Sequence, residues 1–131
     1  MLAIALAAAV AQPVSFVRNG GLDSPRSWHL PPAASIVNFN GRTCLRVHAG
    51  IAWQDIWVRP GWKRMSVAVD ICVEQIDRRE GGFAFAAVYQ YDKATNLVTF
   101  RDFVQLRDRT AWKRYTWTFD VAPTAAYISL R

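Results

Sequence analysis

The strongest constraint on the fold is a series of short β-type segments separated by turn residues. Nine segments are enriched in β-branched and aromatic residues, and none of them shows a sustained helical period. Turn chemistry recurs between them, as at Asn40-Gly41 and Pro60-Gly61. An open sheet of so many strands would leave hydrophobic faces bare, so the pattern predicts an all-β sandwich or barrel. The segments are 14–19, 35–40, 43–49, 54–60, 64–76, 83–92, 97–106, 113–121 and 126–131.

Length and charge set the class of molecule. The chain has 131 residues, enough for one domain with a single modest core. It is 52% hydrophobic and 20% charged, a balance typical of globular proteins rather than disordered ones. Sixteen Lys and Arg against ten Asp and Glu leave a net charge of +6. The cations are scattered along the chain, so we expect a solvated surface and no nucleic-acid partner.

The N-terminal residues 1–11, "MLAIALAAAVA", are uniformly small and apolar. A membrane-spanning helix needs about 20 apolar residues, so this run is too short to cross a bilayer. It ends in Ala9-Val10-Ala11, a small-residue pattern that signal peptidases cut, which predicts an export signal. No basic residue precedes the run, so the signal is either trimmed or begins upstream, and an apolar N-terminus without a targeting role is the alternative. Export predicts a secreted or periplasmic domain over 12–131 with no membrane span.

Export would also permit a disulfide between the two cysteines, Cys44 and Cys72. Both cysteines occupy alternating positions whose side chains are expected to point away from the core, as the alternation pattern below indicates. A bridge requires their α carbons to come within about 7 Å, which holds only if the two strands are neighbours. Two free, partly buried thiols are the other reading, and the sequence leaves both open.

Alternation within the segments predicts which side chains face the core. In the segment 64–76 the alternate residues from Met65 to Val73 are all apolar, and the positions between them carry mainly polar and small residues, so the first set is expected to be buried. In 43–49 the same rule places Leu45 and Val47 inside. It turns Arg46 and His48 to the opposite face. The expected buried set of the long segment is Met65, Val67, Val69, Ile71 and Val73.

The segment 54–60 carries the first candidate site residues. Ile56 and Val58 are expected to face the core, so Trp53, Asp55 and Trp57 share the other face. The two indoles would lie about 13 Å apart along the strand. An indole can stack on the apolar face of a sugar ring and donate its N–H to a hydroxyl. The two tryptophans are therefore candidates for a ligand platform, and the alternative is that a loop or another chain covers them.

The segment 83–92 has two alternating sets, and either could face inward. The set with the smaller side chains, which includes Gln90, is expected to pack against an opposing sheet. That choice turns Tyr89 and Tyr91 outward beside the tryptophans. Because the sequence does not settle the parity, Gln90 also stays a candidate ligand contact.

Four landmarks occur in order along the chain: "NGGLDSPRSW" at 19–28, "GRTCLRVHA" at 41–49, "WQDIWVRPGWKRMSVAVDICV" at 53–73 and "TAWKRYTWTFDVAPTAAYISLR" at 110–131. The series resembles the jelly-roll carbohydrate-binding modules of the galactose-binding-domain-like superfamily, especially the xylan- and glucan-binding type attached to bacterial glycoside hydrolases. The resemblance covers residues 14–131. It implies a two-sheet antiparallel β-sandwich that binds a polysaccharide or oligosaccharide through aromatics, as a monomer or tethered to a catalytic domain.

Such modules often hold a structural calcium ion, but the resemblance is incomplete here. Asp23, with Asn19 beside it, matches the N-terminal part of the calcium motif. The acid expected in the last strand has no match, and calcium prefers about six to eight oxygen ligands. A calcium ion is thus an option, and no cofactor is required. The sequence stops at Arg131, before the strand that usually closes the fold, so we expect the last strand to be missing and the chain to be the N-terminal part of a longer protein.

Catalysis is not expected. Phosphate-loop, zinc-protease and serine-elbow motifs are absent from the sequence. Asp70 and Glu74 would lie about 13 Å apart on one strand, too far for a glycosidase pair, whereas a pair across strands such as Asp70 with Asp102 stays open. The leading hypothesis is non-catalytic polysaccharide binding, with uronate polymers at Arg46 as a weaker variant. The alternative is a structural or protein-interaction sandwich with no sugar site. The candidate ligand contacts are Trp53, Trp57, Asp55, Arg46, His48, Tyr89, Tyr91 and Gln90.

Overall fold

Eight β-strands form the regular structure of the residues that the computed structural model describes, which are 15–22, 24–77, 79 and 81–131. The predicted all-β class is therefore confirmed, and every strand pairing is antiparallel. Within these residues no helix is long and apolar enough to cross a membrane. The expected export signal lies outside them. The strands are β1 (Ala34–Phe39), β2 (Arg42–Val47), β3 (Gln54–Trp57), β4 (Arg64–Val73), β5 (Ala84–Tyr91), β6 (Leu97–Leu106), β7 (Thr110–Asp120) and β8 (Tyr127–Leu130).

One predicted strand, over 14–19, does not form in its described part. Residues 15–17 have no regular structure and residues 18–21 form a turn. Asn19 has a positive φ of 50°, a left-handed conformation that a β-strand cannot contain. The backbone of Arg18 bonds to the Gln54 side chain rather than to another strand. Residues 15–19 therefore form a loop that is hydrogen-bonded to β3 through Gln54.

The strands form three antiparallel groups. A four-stranded sheet has the order β3-β8-β5-β6, a two-stranded ribbon joins β4 to β7, and β1 pairs with β2 in a hairpin. The hairpin turn is Asn40-Gly41, with positive φ at both residues, as a two-residue hairpin loop with the twist of β-strands requires. Sequence turn chemistry and structure agree at this position.

The core lies between the four-stranded sheet and the ribbon. Val88 and Ile128 of the sheet are each 1% exposed, and Phe119 of the ribbon is 7% exposed. Met65 and Val67 pack against this cluster, as their parity predicted. Burying each of the large aliphatic side chains contributes about 2 kcal/mol, so the two layers hold together through this contact. Two antiparallel layers around one core are consistent with a β-sandwich.

The hairpin departs from the parity prediction. Val47 was expected inside but is 41% exposed. The reason is that β1 and β2 pair only with each other and lie outside the main core. Ion pairs attach the hairpin to the ribbon instead, from Arg42 to Asp70 and from Arg46 to Glu74.

Candidate functional site

The face of the four-stranded sheet opposite the core is aromatic. Val88 and Ile128 point into the core, so the residues next to them in each strand point away from it. The structure thus places Tyr89 and Tyr91 on the outer side, as the smaller-residue argument predicted. We call this surface the outer aromatic face; it is formed by Trp57 of β3, Tyr127 of β8, Tyr89 and Tyr91 of β5, and Phe100 of β6.

The tyrosines in the middle of this face pack on one another. Tyr91 and Tyr127 have ring centroids 5.0 Å apart and planes 13° apart, and Tyr89 and Phe100 are 5.1 Å and 22° apart. Near-parallel rings at such distances are offset-stacked, so each covers part of its neighbour's face. Tyr89 and Tyr91, at 6.4 Å, continue the row. The tyrosines were predicted as ligand contacts, but their ring faces are largely occupied within the protein.

Arg131 closes the centre of the outer aromatic face. Its guanidinium lies 4.1 Å from the centroid of Tyr89, and its Nη2 donates a hydrogen bond of 2.7 Å to the hydroxyl of Tyr91. The Nε of Arg131 and the Oγ of Ser129 are buried and have no hydrogen-bond partner among the described residues. The free ring surface of the row is therefore found at its ends, where Trp57 is 70% and Phe100 is 56% exposed.

A small cleft adjoins the exposed indole of Trp57. Its volume is about 180 Å³, and we call it the Trp57 cleft. Asp55 supplies hydrogen-bond acceptors, and Tyr127 supplies a phenol. The pKa of Tyr127 is raised, first by desolvation and then by the negative charge of Asp55, so its hydroxyl keeps its proton at neutral pH. The lining residues are Arg18, Ser27, His29, Gln54, Asp55, Trp57 and Tyr127.

The wall of the Trp57 cleft is a loop held by Gln54. This side chain is only 1% exposed. Its Oε1 accepts a hydrogen bond from the amide of Arg18, and its Nε2 donates to the carbonyl oxygens of Arg18 and Ser27, each at 2.8 Å. Alternation in the sequence did not identify Gln54 as part of a site. A polar side chain on the core-facing parity of the segment 54–60 was the available signal.

Asn19 and Trp28 organise the same loop from within. The Nδ2 of Asn19 donates to the carbonyl oxygens of Ser24 and Arg26 and to the Ser24 hydroxyl, at 2.8 to 3.1 Å. The indole N–H of Trp28 donates to the carbonyl of Asn19 at 3.1 Å. The Asn and Trp of the first sequence landmark therefore have a structural role in shaping the loop.

These contacts bear on the calcium that the resemblance implies. The carbonyl oxygens of Ser24 and Arg26 accept hydrogen bonds from the amide nitrogen of Asn19. Asp23 lies outside the described residues. Elsewhere in the described chain, no group of three or more His, Cys, Asp or Glu side chains could hold a metal ion. A calcium ion at Asp23 and Asn19 therefore stays a prediction.

Trp53 is packed against the protein. Its ring stacks on His29, with centroids 4.8 Å and planes 13° apart, and the backbones of the two residues exchange hydrogen bonds. Trp53 is half-buried in this arrangement. The two tryptophans of β3 and its flank thus differ: Trp57 is open to solvent, and Trp53 anchors the loop that precedes β1.

The prediction for Gln90 needs correction. This side chain is 3% exposed and lies on the core side of β5. Its Nε2 donates to the carbonyl of Asp120 at 2.9 Å, and its Oε1 accepts from the amide of Ala122 at 2.8 Å. Both ends of the amide serve the turn after β7, so Gln90 is not available to a ligand on the outer aromatic face.

Arg46 and His48 also lie elsewhere. They line a larger groove of about 670 Å³ between the β1–β2 hairpin and the body of the protein, which we call the hairpin groove. Arg46 is engaged there with Glu74 at 2.9 Å. The core parity assigned to this segment has no counterpart in the structure, because the hairpin lies outside the core and the half-buried Arg46 faces the body of the protein while Val47 is exposed. The sequence could not show that β2 belongs to a different sheet from β3. They therefore do not join Trp57 in one site.

Comparisons of this chain with protein families, curated proteins and solved structures find no match. The resemblance to carbohydrate-binding modules therefore stays a hypothesis. The two carboxylates that the sequence left open as a pair lie in different strand groups, Asp70 in the ribbon and Asp102 in β6 of the four-stranded sheet. Asp70 is bound by Arg42 and Arg114, and Asp102 by Gln105.

Proposed function

We propose that this chain is a non-catalytic carbohydrate-binding domain that holds a sugar against Trp57. The observation that carries the proposal is the 70% exposure of this indole beside the Trp57 cleft. Large aromatic side chains gain free energy when their apolar surface leaves water, so an indole left this open favours a partner that covers it.

The cleft offers the groups that sugar recognition needs. The C–H face of a pyranose ring stacks on Trp57, while its hydroxyls donate to Asp55 and accept from Tyr127 and Arg18. The Gln54 hydrogen bonds hold the wall in place before the ligand arrives, which limits the entropy lost on binding. Stacking and hydrogen bonding suffice for this function, and no bond of the sugar is broken.

The wider context belongs to the same proposal. The apolar run at 1–11 favours an exported protein, in the periplasm or outside the cell, and the sequence landmarks favour a jelly-roll connectivity. They also favour attachment to a glycoside hydrolase, whose polysaccharide substrate this domain would bind. The binding partner is thus a polysaccharide or an oligosaccharide, and the sandwich carries no chemistry of its own.

Affinity electrophoresis tests the proposal directly. The parent protein, Trp57→Ala and Phe83→Ala are run in native gels that contain a panel of soluble xylans, glucans, mannans, pectin and alginate. Phe83 is a matched control because it is also an exposed aromatic, at 42%, but lines the hairpin groove. We expect at least one polysaccharide to retard the parent and the control but not Trp57→Ala. A parent that no polysaccharide retards would refute the function.

The hypothesis that the domain binds uronate polymers makes a separate prediction for the same gels. It predicts retardation by pectin or alginate that weakens with added salt and is lost in Arg46→Ala. Because Arg46 lines the hairpin groove, its loss should not affect a neutral sugar bound at Trp57. Binding of a neutral sugar and binding of a uronate polymer are therefore distinguished by the polymer that retards the protein, by the effect of salt and by the mutation that abolishes retardation.

The edge strand β6 favours a second candidate function, a protein-interaction domain. Leu97, Val98 and Phe100 are 47%, 38% and 56% exposed, and β6 ends the sheet order. An edge strand with exposed apolar residues is a template for a strand from another polypeptide. A Val98→Lys variant should abolish such pairing, measured as loss of a larger species in size-exclusion chromatography, and leave sugar retardation unchanged.

A further inference from the structure

The two cysteines occupy matching positions on facing strands. The ion pair from β2 to β4 at Arg42 and Asp70 joins residues 28 positions apart, and the pair at Arg46 and Glu74 also joins residues 28 positions apart. Cys44 lies midway between the two arginines, and Cys72 lies midway between the two acids. Cys44 and Cys72 are therefore separated by the same number of positions along the chain as the residues of the two ion pairs that flank them.

Both thiols lie at the interface between the hairpin and the ribbon. Residues two apart in β2 point to one face, so Cys44 faces the ribbon with Arg42 and Arg46. Cys72 lies between the two acids of these ion pairs, at the register irregularity of β4 between Ile71 and Val73. Both cysteines are half-buried, both line the hairpin groove, and both are free thiols in this structure. A neighbouring-strand disulfide within one sheet is excluded, because β2 pairs with β1 and β4 pairs with β7.

The hairpin groove is the space that a bond between the layers would close. Layers of strands pack about 10 Å apart, whereas a disulfide brings α carbons within about 7 Å. No strand of the sheet or of the ribbon pairs with β1 or β2, and the flanking contacts are made by long arginine side chains. Those side chains can fold as the hairpin moves inward, so closure breaks no strand pairing.

We propose that Cys44 and Cys72 form a disulfide between the hairpin and the ribbon, and that this bond narrows the hairpin groove. With oxidised glutathione as the oxidant, the thiolate of one cysteine attacks the glutathione disulfide and releases one glutathione thiolate. The second cysteine thiolate then attacks the resulting mixed disulfide and releases the other. The two thiol protons end on the two glutathione molecules, and the two protein sulfurs are oxidised as the glutathione disulfide is reduced.

Equilibration in glutathione redox buffers tests the bond in the whole chain. The protein is equilibrated in native buffer and in denaturant, and the reaction is then quenched with acid. The ratio of disulfide-bonded to reduced protein gives the effective concentration of one thiol for the other under each condition. Random encounter in the denatured chain gives about millimolar effective concentration, and we expect the native value to be at least about tenfold higher. Tryptic digestion should link the peptide 43–46 to the peptide 65–78 in the monomer.

Two kinds of variant serve as controls for the disulfide. Cys44→Ser and Cys72→Ser should each form only the mixed disulfide with glutathione. Arg46→Gln removes one flanking ion pair, so it should lower the native effective concentration several-fold without changing the value in denaturant. A native value no higher than the denatured one, bridges only between molecules, or an Arg46→Gln variant that matches the parent would overturn the proposal.

Discussion

Replacing Gln54 by Met tests how the Trp57 cleft is built. Met has a similar length and no branch, so it fills the site but cannot bond the backbone of Arg18 and Ser27. The parent makes three hydrogen bonds there, each at 2.8 Å, from a side chain that is 1% exposed. A typical bond contributes about 1 kcal/mol net, and the apolar Met recovers part of the loss by burial. We expect the free energy of unfolding to fall by about 2 to 3 kcal/mol.

The assay is urea unfolding followed by circular dichroism, together with hydrogen exchange of the Arg18 amide, which should lose protection. Gln105→Met is the matched control, because Gln105 is exposed and bonds only to the Asp102 carboxylate, at 2.9 Å, within the described chain. Its stability should stay within about 0.5 kcal/mol of the parent. If Gln54→Met were as stable as this control, the view of Gln54 as the anchor of the cleft wall would be refuted.

Two further predictions concern binding and pH. For the polysaccharide that retards the parent, Trp57→Ala should lower the binding affinity about 30-fold, measured by calorimetry. The reason is that a sugar covering about 70 Å² of the indole contributes about 2 kcal/mol to binding. An unchanged affinity would exclude stacking at Trp57. The hydrogen bonds from Arg114, and then those from Arg42, lower the pKa of Asp70 from 3.8 to about 2. A lowered pKa stabilises the fold above pH 3.8 and loses this effect as the pH falls through about 2. Asp70→Asn should therefore be less stable than the parent at pH 6 by about 1 kcal/mol, a value reduced for solvent screening at a partly exposed site. Urea unfolding should show this difference in stability shrinking as the pH falls toward 2. A difference that stays constant with pH would contradict the role of the ion pairs.

Local patterns in the sequence were enough to predict the strands and most of their faces. Eight of the nine predicted segments form strands, because alternation and turn chemistry act over a few residues and need no knowledge of the partner strand. The same local rule correctly turned Trp57 and Tyr89 away from the core. It failed at Val47, because parity tells which residues share a face but not whether another layer covers that face.

The sequence by itself determined an all-β chain in which most strands have one row of side chains facing the core and one row facing outward. It could do so because the alternation of side chains along a strand is a local property of the sequence. Only the tertiary structure decided which rows meet. It joined Trp57 to Tyr127, which lies far away in the sequence, and it covered Trp53 with His29. It also moved Arg46 to a separate groove. Strand order depends on contacts between distant segments, and the short-range pattern does not encode those contacts one by one.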